Sequence, residues 1–414
     1  MAEPQRLECI RCAQQYPLEG TDQICENCGR SGVASNLTPR YSDCRIPEPN
    51  EFITSDASLW RYAAQLPLDA KDAVTLGEGM TPLVSIEGFG HGHIRVKDET
   101  QNPTWSFKDR LATVAVSWAR KNAFSAIGTS STGNAGAAAA AYAAKAAMPC
   151  VVFTYTGAAM AMVSQMRSYG AMVLTLPNPE DRWAILSQGV QTYGWFPTSP
   201  FFGPTVGSNP IGIEGYKTLA YEIAEQSDWN VPDWCVLPVC YGDALYGLWK
   251  GFDEMNRWGW TDKVPRLVAA EVSGSLTAAL AQNLEMPPIV SRNKKSVANS
   301  IDVMQGTFQA RYALKMSDGL ALTLTDACML TARDRLASGS GMFAEISSAA
   351  PFAAIDLLSK EGTILPEDNV VAILTASGLK DFGVPGRKLK EAPHVEPNIG
   401  AVLETLAEYY GFHV

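Results

Sequence analysis

Four cysteines, Cys9, Cys12, Cys25 and Cys28, stand as C-x2-C-x12-C-x2-C, two close pairs at a separation that lets four thiolates close a tetrahedron around zinc. Four sulfur ligands leave no open coordination position, so such a metal is structural; the competing reading is a set of redox C-x-x-C pairs or disulfides. A second chemistry-bearing group lies in "NPTWSFKDR", residues 102–110, where Lys108 and Arg110 enter what reads as the first turn of a helix. Ser106 and Asp109 give the S-x-x-D capping pattern of a helix start. The positive end of the helix dipole favours anions, so the cap fits its place and the lysine does not. Taken alone, Lys108 reads as a solvated residue early in a helix.

Three further segments run from an apolar strand through a loop into a helix, the place where open α/β sheets bind ligands. In "AIGTSSTGNAGAAAAAYAAKAAM" the loop residues Ser130, Ser131, Thr132, Gly133 and Asn134 would aim amides and hydroxyls at an anion such as a carboxylate. A capped helix with a flexible entry is the plainer alternative. In "WCVLPVCYGDALYGLWKGF" a buried strand meets Gly242 with a helix from about Leu245, and the amides from Cys240 to Ala244 could cradle a phosphate. Asp243 would repel a dianion there unless it points away or is paired. The fourth segment, "NVVAILTASGLKD", ends its strand at Thr375, whose hydroxyl could meet a ring nitrogen or cap the strand.

The elements that must position these residues follow from apolar patterning. "HIRVK", "MPCVVFTY", "AMVLTL", "WCVLPV", "RLVAAEV" and "NVVAILT" alternate with helical stretches, which predicts buried parallel strands with crossover helices, hence doubly wound α/β sheets. Residues 44–75 read as a connecting segment with one short helix, "SDASLWRYAAQL". The 414 residues leave room for two or three domains, and 46% hydrophobic with 18% charged residues is ordinary for a soluble globular chain. A net charge of -10 disfavours a nucleic-acid partner, because neutralising phosphates takes a basic face that the sequence shows nowhere. No signal segment or run of eighteen apolar residues is found, so a cytoplasmic protein without a membrane partner is expected. Cys44, Cys150, Cys235, Cys240 and Cys328 read as small apolar residues. His91, His93, His394 and His413 show no ligand spacing.

Together these stretches resemble the threonine synthase family of pyridoxal-phosphate enzymes. "NPTWSFKDR" is similar to that family's NPTGSFKDR, "STGNAGAAAAAYAA" to its SSGN loop, "GEGMTPL" to GEGxTPL and "LTASGLKD" to LTGHGLKD, in the same order across roughly residues 75–385. The four-cysteine ribbon resembles that of microbial members. The resemblance implies a tryptophan-synthase-like fold of two doubly wound parallel-sheet domains plus the small N-terminal ribbon. The ribbon would span 1–45, a large cofactor-binding domain 46–125 and 205–414, and a small mobile domain 126–204. It implies that Lys108 forms the Schiff base with pyridoxal phosphate and shuttles the substrate proton, which would explain an amine at a helix start. It further implies that Asn134 meets the cofactor's 3′-oxygen, that Ser131, Thr132 and Gly133 line the substrate carboxylate pocket, and that Thr375 meets the pyridine nitrogen. Cys240, Tyr241, Gly242, Asp243 and Ala244 would hold the cofactor phosphate, and a homodimer is expected.

The chain also departs from that family. The phosphate loop, GNGGN in the family, reads CYGDA here. The stretch NSxNPYRxEGQKT becomes "VGSNPIGIEGYKT", with Val206, Gly207 and Gly212 where the family's Asn, Ser and Arg help hold the phosphate of O-phosphohomoserine. Losing charge-assisted donors costs on the order of 1.5 to 3 kcal/mol each, and Arg110, Arg167 or Lys97 is the cation left to supply that charge from another direction. Ala135, Ser377 and Trp105 replace the family's Thr, His and Gly, Trp105 beside the cofactor. The expected activity is therefore a pyridoxal-phosphate lyase of this family acting on a small amino acid. Threonine synthase is the leading reading; the alternatives are a diverged β-eliminating or β-replacing enzyme, such as an ammonia-lyase, dehydratase or cysteate synthase, and a non-catalytic anion- or partner-binding relative.

Overall fold

The computed structural model describes residues 4–18, 21–41, 48–52, 56–156, 158–201, 206–291, 294–381 and 392–413; Cys44 lies outside them. The described residues fall into two compact units, residues 1–383 and 384–414. In the second, the helix Ile399–Tyr410 is capped by Asn398, whose Oδ1 accepts the Ala401 N–H at 3.0 Å.

The first unit begins with an antiparallel ribbon of β1 (Pro4–Cys9), β2 (Gln15–Tyr16) and β3 (Leu37–Tyr41) in the order β2-β1-β3. It is tied to later residues by Arg11 to Glu285 at 2.6 Å, Gln23 Nε2 to the Ser199 carbonyl at 2.9 Å and Lys250 Nζ to Thr38 Oγ1 at 2.9 Å.

Two sheets carry the core. The larger comprises β4 (Leu83–Gly88), β5 (His91–Asp98), β10 (Trp234–Pro238), β11 (Arg266–Glu271), β12 (Leu320–Thr323) and β13 (Val370–Leu374), in the order β12-β11-β10-β13-β5-β4. All its pairings are parallel except β4 with β5. The smaller contains β6 (Ala126–Ser130), β7 (Cys150–Tyr155), β8 (Met172–Leu176) and β9 (Trp195–Pro197), all parallel, in the order β8-β7-β6-β9. Every residue of β10 and β13 is buried, as expected of strands covered on both faces. Cys150 and Cys235 are buried in strands, in keeping with their reading as small apolar residues.

Helices Lys108–Lys121 and Asn134–Lys145 pack on each other. The alanines from Ala137 to Ala141 and Ala143 are almost wholly buried, and their short side chains let the two axes approach closely. The first turn of Lys108–Lys121 is pinned by Arg110. Its guanidinium pairs with Glu99 through two contacts of 2.7 Å and with Glu222 at 2.5 and 2.7 Å, and Lys97 reaches Glu222 at 2.6 Å. All four side chains are fully buried. Arg110 and Lys97 therefore do not offer charge to a substrate, contrary to the sequence expectation, because two carboxylates hold them inside the protein. Arg167 lies on an exposed position of the helix Met160–Ser168.

Two local expectations also change. "SDASLWRYAAQL" forms a 3₁₀ helix over Leu59–Gln65 with non-helical φ/ψ at Tyr62. The helix entered near Leu245 begins earlier, at Asp243.

Candidate active site

Lys108 is the first residue of its helix and only part-buried. Its backbone N–H reaches Ser106 Oγ at 3.3 Å, but the expected S-x-x-D box does not close. Asp109 turns back to Thr104 instead, accepting its N–H at 2.7 Å and its hydroxyl at 2.5 Å, because the chain doubles back before the helix. Burial pushes the Asp109 carboxyl up to about 7. Just upstream, Trp105 has φ +61° in the left-handed region, where the family's motif has glycine and a side chain is strained. It remains 46% exposed and so does not fill a buried pocket.

The ends of three strands meet around this turn. Phe107 N–H donates to the Thr375 carbonyl at 2.9 Å, and Ser377 N–H to the Trp105 carbonyl at 3.1 Å. The hydroxyls of Thr375 and Ser348 lie 2.7 Å apart, and Ser348 Oγ also accepts Ala376 N–H at 2.9 Å. Asn134, first in its helix, donates Nδ2 to Glu345 Oε2 at 2.7 Å while its Oδ1 is buried without a partner. Glu345 in turn donates its N–H to the Ala376 carbonyl at 3.1 Å. Lys108, Ala135, Thr198 and Ser208 line one small pocket. The Lys108 turn and Thr375 are thus adjacent, and Asn134 is linked to the same strand end through Glu345.

Ser131 caps the Asn134 helix, its Oγ accepting N–H groups of Gly133 at 3.2 Å and Gly136 at 2.9 Å. With that hydroxyl taken up, Thr132 and Gly133, both partly exposed, are the loop residues open to a ligand.

In the loop Cys240–Ala244, Gly242 takes φ +81°, and a Cβ there would lie 2.4 Å from Ala310 Cβ, so only glycine fits this helix entry. Asp243 does not face outward. Its Oδ1 accepts Ser208 N–H at 3.1 Å and Gln309 Nε2 at 2.6 Å, and its Oδ2 accepts Ser208 Oγ at 2.7 Å. Burial raises the Cys240 thiol to about 12 and pushes the Tyr241 phenol higher still. Both are neutral near pH 7.

The three departed positions are closed to side-chain donors. Val206 is buried. A Cβ on Gly207, at φ +112°, would sit 2.2 Å from Gln309 Nε2 and 2.4 Å from Asp243 Oδ1; one on Gly212 would meet Leu111 Cγ at 2.9 Å. Gly207 and Asp243 are thus one coupled change: the carboxylate fills the space a serine side chain would need.

For Lys108, burial opposes the charged form, yet the facing Tyr216, Asp243 and Cys240 outweigh it and raise its proton affinity above the ordinary lysine value. Spacing missed Tyr216, Glu345 and Ser348. The tyrosine had a signal, standing where EGQKT has glutamine; nothing in the sequence marks the other two.

In the ribbon, the four cysteine sulfurs lie within 4.8 Å of one another. Cys9 and Cys28, and Cys12 and Cys25, are each 3.7 Å apart, far beyond a disulfide bond. Sulfurs around a tetrahedral zinc stand about 3.8 Å apart for ligands at ~2.3 Å, so the set matches that geometry.

The pyridoxal-phosphate dependent enzyme family matches residues 74–376. Threonine synthase of Methanosarcina acetivorans is 33% identical over 97% of this chain and 98% of its own length. The chain belongs to the threonine synthase family of pyridoxal-phosphate-dependent enzymes. Threonine synthase of Methanocaldococcus jannaschii is 30% identical over 97% of this chain and 99% of its own, and that of Mycobacterium tuberculosis 33% over 81% and 91%. Maize serine racemase, at 19% identity and a TM-score of 0.62 over 74% of this chain and 90% of its own, shares the fold. So does a fungal L-serine ammonia-lyase from Rhizomucor miehei, at 17%, 0.61, 72% and 94%. This family membership makes the chain a lyase that uses pyridoxal phosphate, and the two parallel sheets with an N-terminal cysteine ribbon are the fold expected from the sequence. No helix among the described residues is long and apolar enough to cross a membrane.

Proposed function

We propose that Lys108 binds pyridoxal phosphate covalently and acts on a small α-amino acid, with O-phosphohomoserine and water giving threonine and phosphate as the leading reaction. The observation that supports this reading is that the Lys108 turn is joined to Thr375 through Phe107, and Asn134 to the neighbouring Ala376 through Glu345, at adjoining strand ends. The residues fit such a cofactor: Asn134 Nδ2 gives one of its two N–H groups to Glu345, which leaves the second for the cofactor's 3′-oxygen, and the glycine-shaped entry at Gly242 precedes a 15-residue helix whose first amides suit a phosphate. When bound, the cofactor supplies an electron sink for the pair left at Cα.

The chain's own residues then divide the work. Asn134 and Thr375 orient the ring, each held by a fixed neighbour, Glu345 and Ser348. Thr375 is an uncharged hydroxyl held by Ser348, which would leave the ring nitrogen of a bound cofactor largely unprotonated. Thr132 and Gly133, in the loop after β6, meet the substrate carboxylate. Lys108 Nζ, once free, accepts the Cα proton. Closure of residues 126–204 over the cleft would exclude water.

A second reading is favoured by the closed positions Val206, Gly207 and Gly212 together with the buried Asp243, which provide no cation for a substrate phosphate. In that case the enzyme eliminates or replaces an unphosphorylated β-leaving group. The two separate by measuring phosphate release from O-phosphohomoserine beside keto-acid formation from serine, threonine and 2,3-diaminopropionate. Phosphate release with threonine as product supports the synthase; keto acid alone rules it out.

Zinc is proposed for Cys9, Cys12, Cys25 and Cys28, in a closed and structural site. Elemental analysis should find about one zinc per chain. Cys28→Ser should lose it and lower the melting temperature by several degrees, since Cys28 is buried in the ribbon. Full metal-free stability of the unaltered chain would contradict the assignment.

A further inference from the structure

Tyr216 is wholly buried, its ring packed 5.3 Å from that of Phe107. Lys108 Nζ stands 5.7 Å from the centre of the Tyr216 ring. The Tyr216 hydroxyl has no partner with hydrogen-bond geometry among the described residues, though the Lys108 amine is near enough to interact with it electrostatically. A buried hydroxyl left unpaired is unfavourable, so this one calls for a partner.

The titratable groups facing this pair are few. Tyr216 is faced by Lys108, Asp243 and Glu99, and Lys108 by Tyr216, Asp243 and Cys240. Glu99 is committed to Arg110 and Thr81. Asp243 has both oxygens occupied by Ser208 and Gln309. Cys240 is a buried thiol, a weak acceptor. The Tyr216 oxygen is thus the facing group with unspent capacity.

We propose that Tyr216 is a positioning residue for Lys108, its phenol oxygen placed to accept a hydrogen bond from the lysine ammonium when the free amine turns toward it, and so to hold Nζ in the cleft. The inference deepens the assignment of Lys108 as the cofactor anchor and rests on it. Burial pushes the phenol up to about 12, so it stays neutral at working pH. A neutral oxygen steadies the protonated amine without locking it in an ion pair, which suits a lysine that must both take up and release a proton. Glutamine, at this place in the family pattern, offers a carbonyl oxygen that can act in the same way.

The test uses the full-length chain with Tyr216→Phe and Tyr216→Gln. Phe keeps the packing against Phe107 and removes only the oxygen. Both variants should still develop the visible band on addition of pyridoxal phosphate. Without the acceptor the ammonium is less favoured, so in Tyr216→Phe labelling of Lys108 by trinitrobenzenesulfonate, followed by peptide mass spectrometry, should set in at lower pH. Its kcat should fall about tenfold with KM nearly unchanged, and Tyr216→Gln should recover much of both. A normal band with an unshifted labelling profile and full kcat in Tyr216→Phe would overturn the proposal alone. A wild-type chain that forms no Lys108-dependent band would overturn the anchor assignment beneath it.

Discussion

Lys108→Ala is expected to lose the visible absorbance band formed on mixing the chain with pyridoxal phosphate, and with it turnover by a factor on the order of 10⁴ or more. Two roles fall on one nitrogen, so neither is spared when it is removed. The substitution should do this without unfolding the chain. Among the described residues Lys108 makes no side-chain ion pair, its ammonium standing 4.7 Å from the centre of the Phe107 ring and 5.7 Å from that of Tyr216, and alanine is the best helix former. Circular dichroism and melting temperature should stay near wild type while the band disappears. A Lys108→Ala protein that keeps the band would move the attachment elsewhere.

Arg110→Ala, two residues along, should have the opposite profile. Removing the guanidinium strands Glu99 and Glu222 in a fully buried site, and breaking a buried ion network from one side costs on the order of 3–5 kcal/mol. Lys97 still pairs with Glu222, so the loss falls mainly on Glu99. Chemical denaturation should show this as a lowered midpoint. The network also sets the acid limit of the wild-type fold. Burial raises the Glu222 carboxyl, but Arg110 and Lys97 outweigh it and hold it at about 2, below its ordinary 4.5. A depressed carboxyl adds stability that is fully present above the unfolded value and is lost as pH falls through the folded one. Unfolding below about pH 4.5 should therefore be steep in the wild type.

The two results together explain what could be read from the residues. β5, β7, β8, β10, β11 and β13 announced themselves as apolar runs, most of them buried on both faces. β4 and β12, at the two edges of the larger sheet, were not singled out: Ser85 and Glu87 interrupt the apolar residues of β4, and β12 is only four residues long. The site was legible where function demands an unusual local sequence: a lysine opening a helix, a glycine-bearing loop after a strand, a hydroxyl at a strand end. Its support was not legible. Arg110 meets partners 11 and 112 residues away, and Asn134 is held by Glu345, 211 residues distant; no periodicity encodes such pairings. Arg110 consequently read as a spare cation for a substrate when it is the peg that fixes the lysine helix. Asp243 read as a threat to a phosphate, whereas Gly207 leaves the room in which it turns away.

The account turns on which nitrogen carries the cofactor. Borohydride reduction of the chain incubated with pyridoxal phosphate, followed by proteolysis and mass spectrometry, reads it directly. The phosphopyridoxyl mass should appear on the peptide containing Lys108 and be missing from the same peptide of Lys108→Ala. Stoichiometric labelling of another lysine, with Lys108 unmodified, would contradict it.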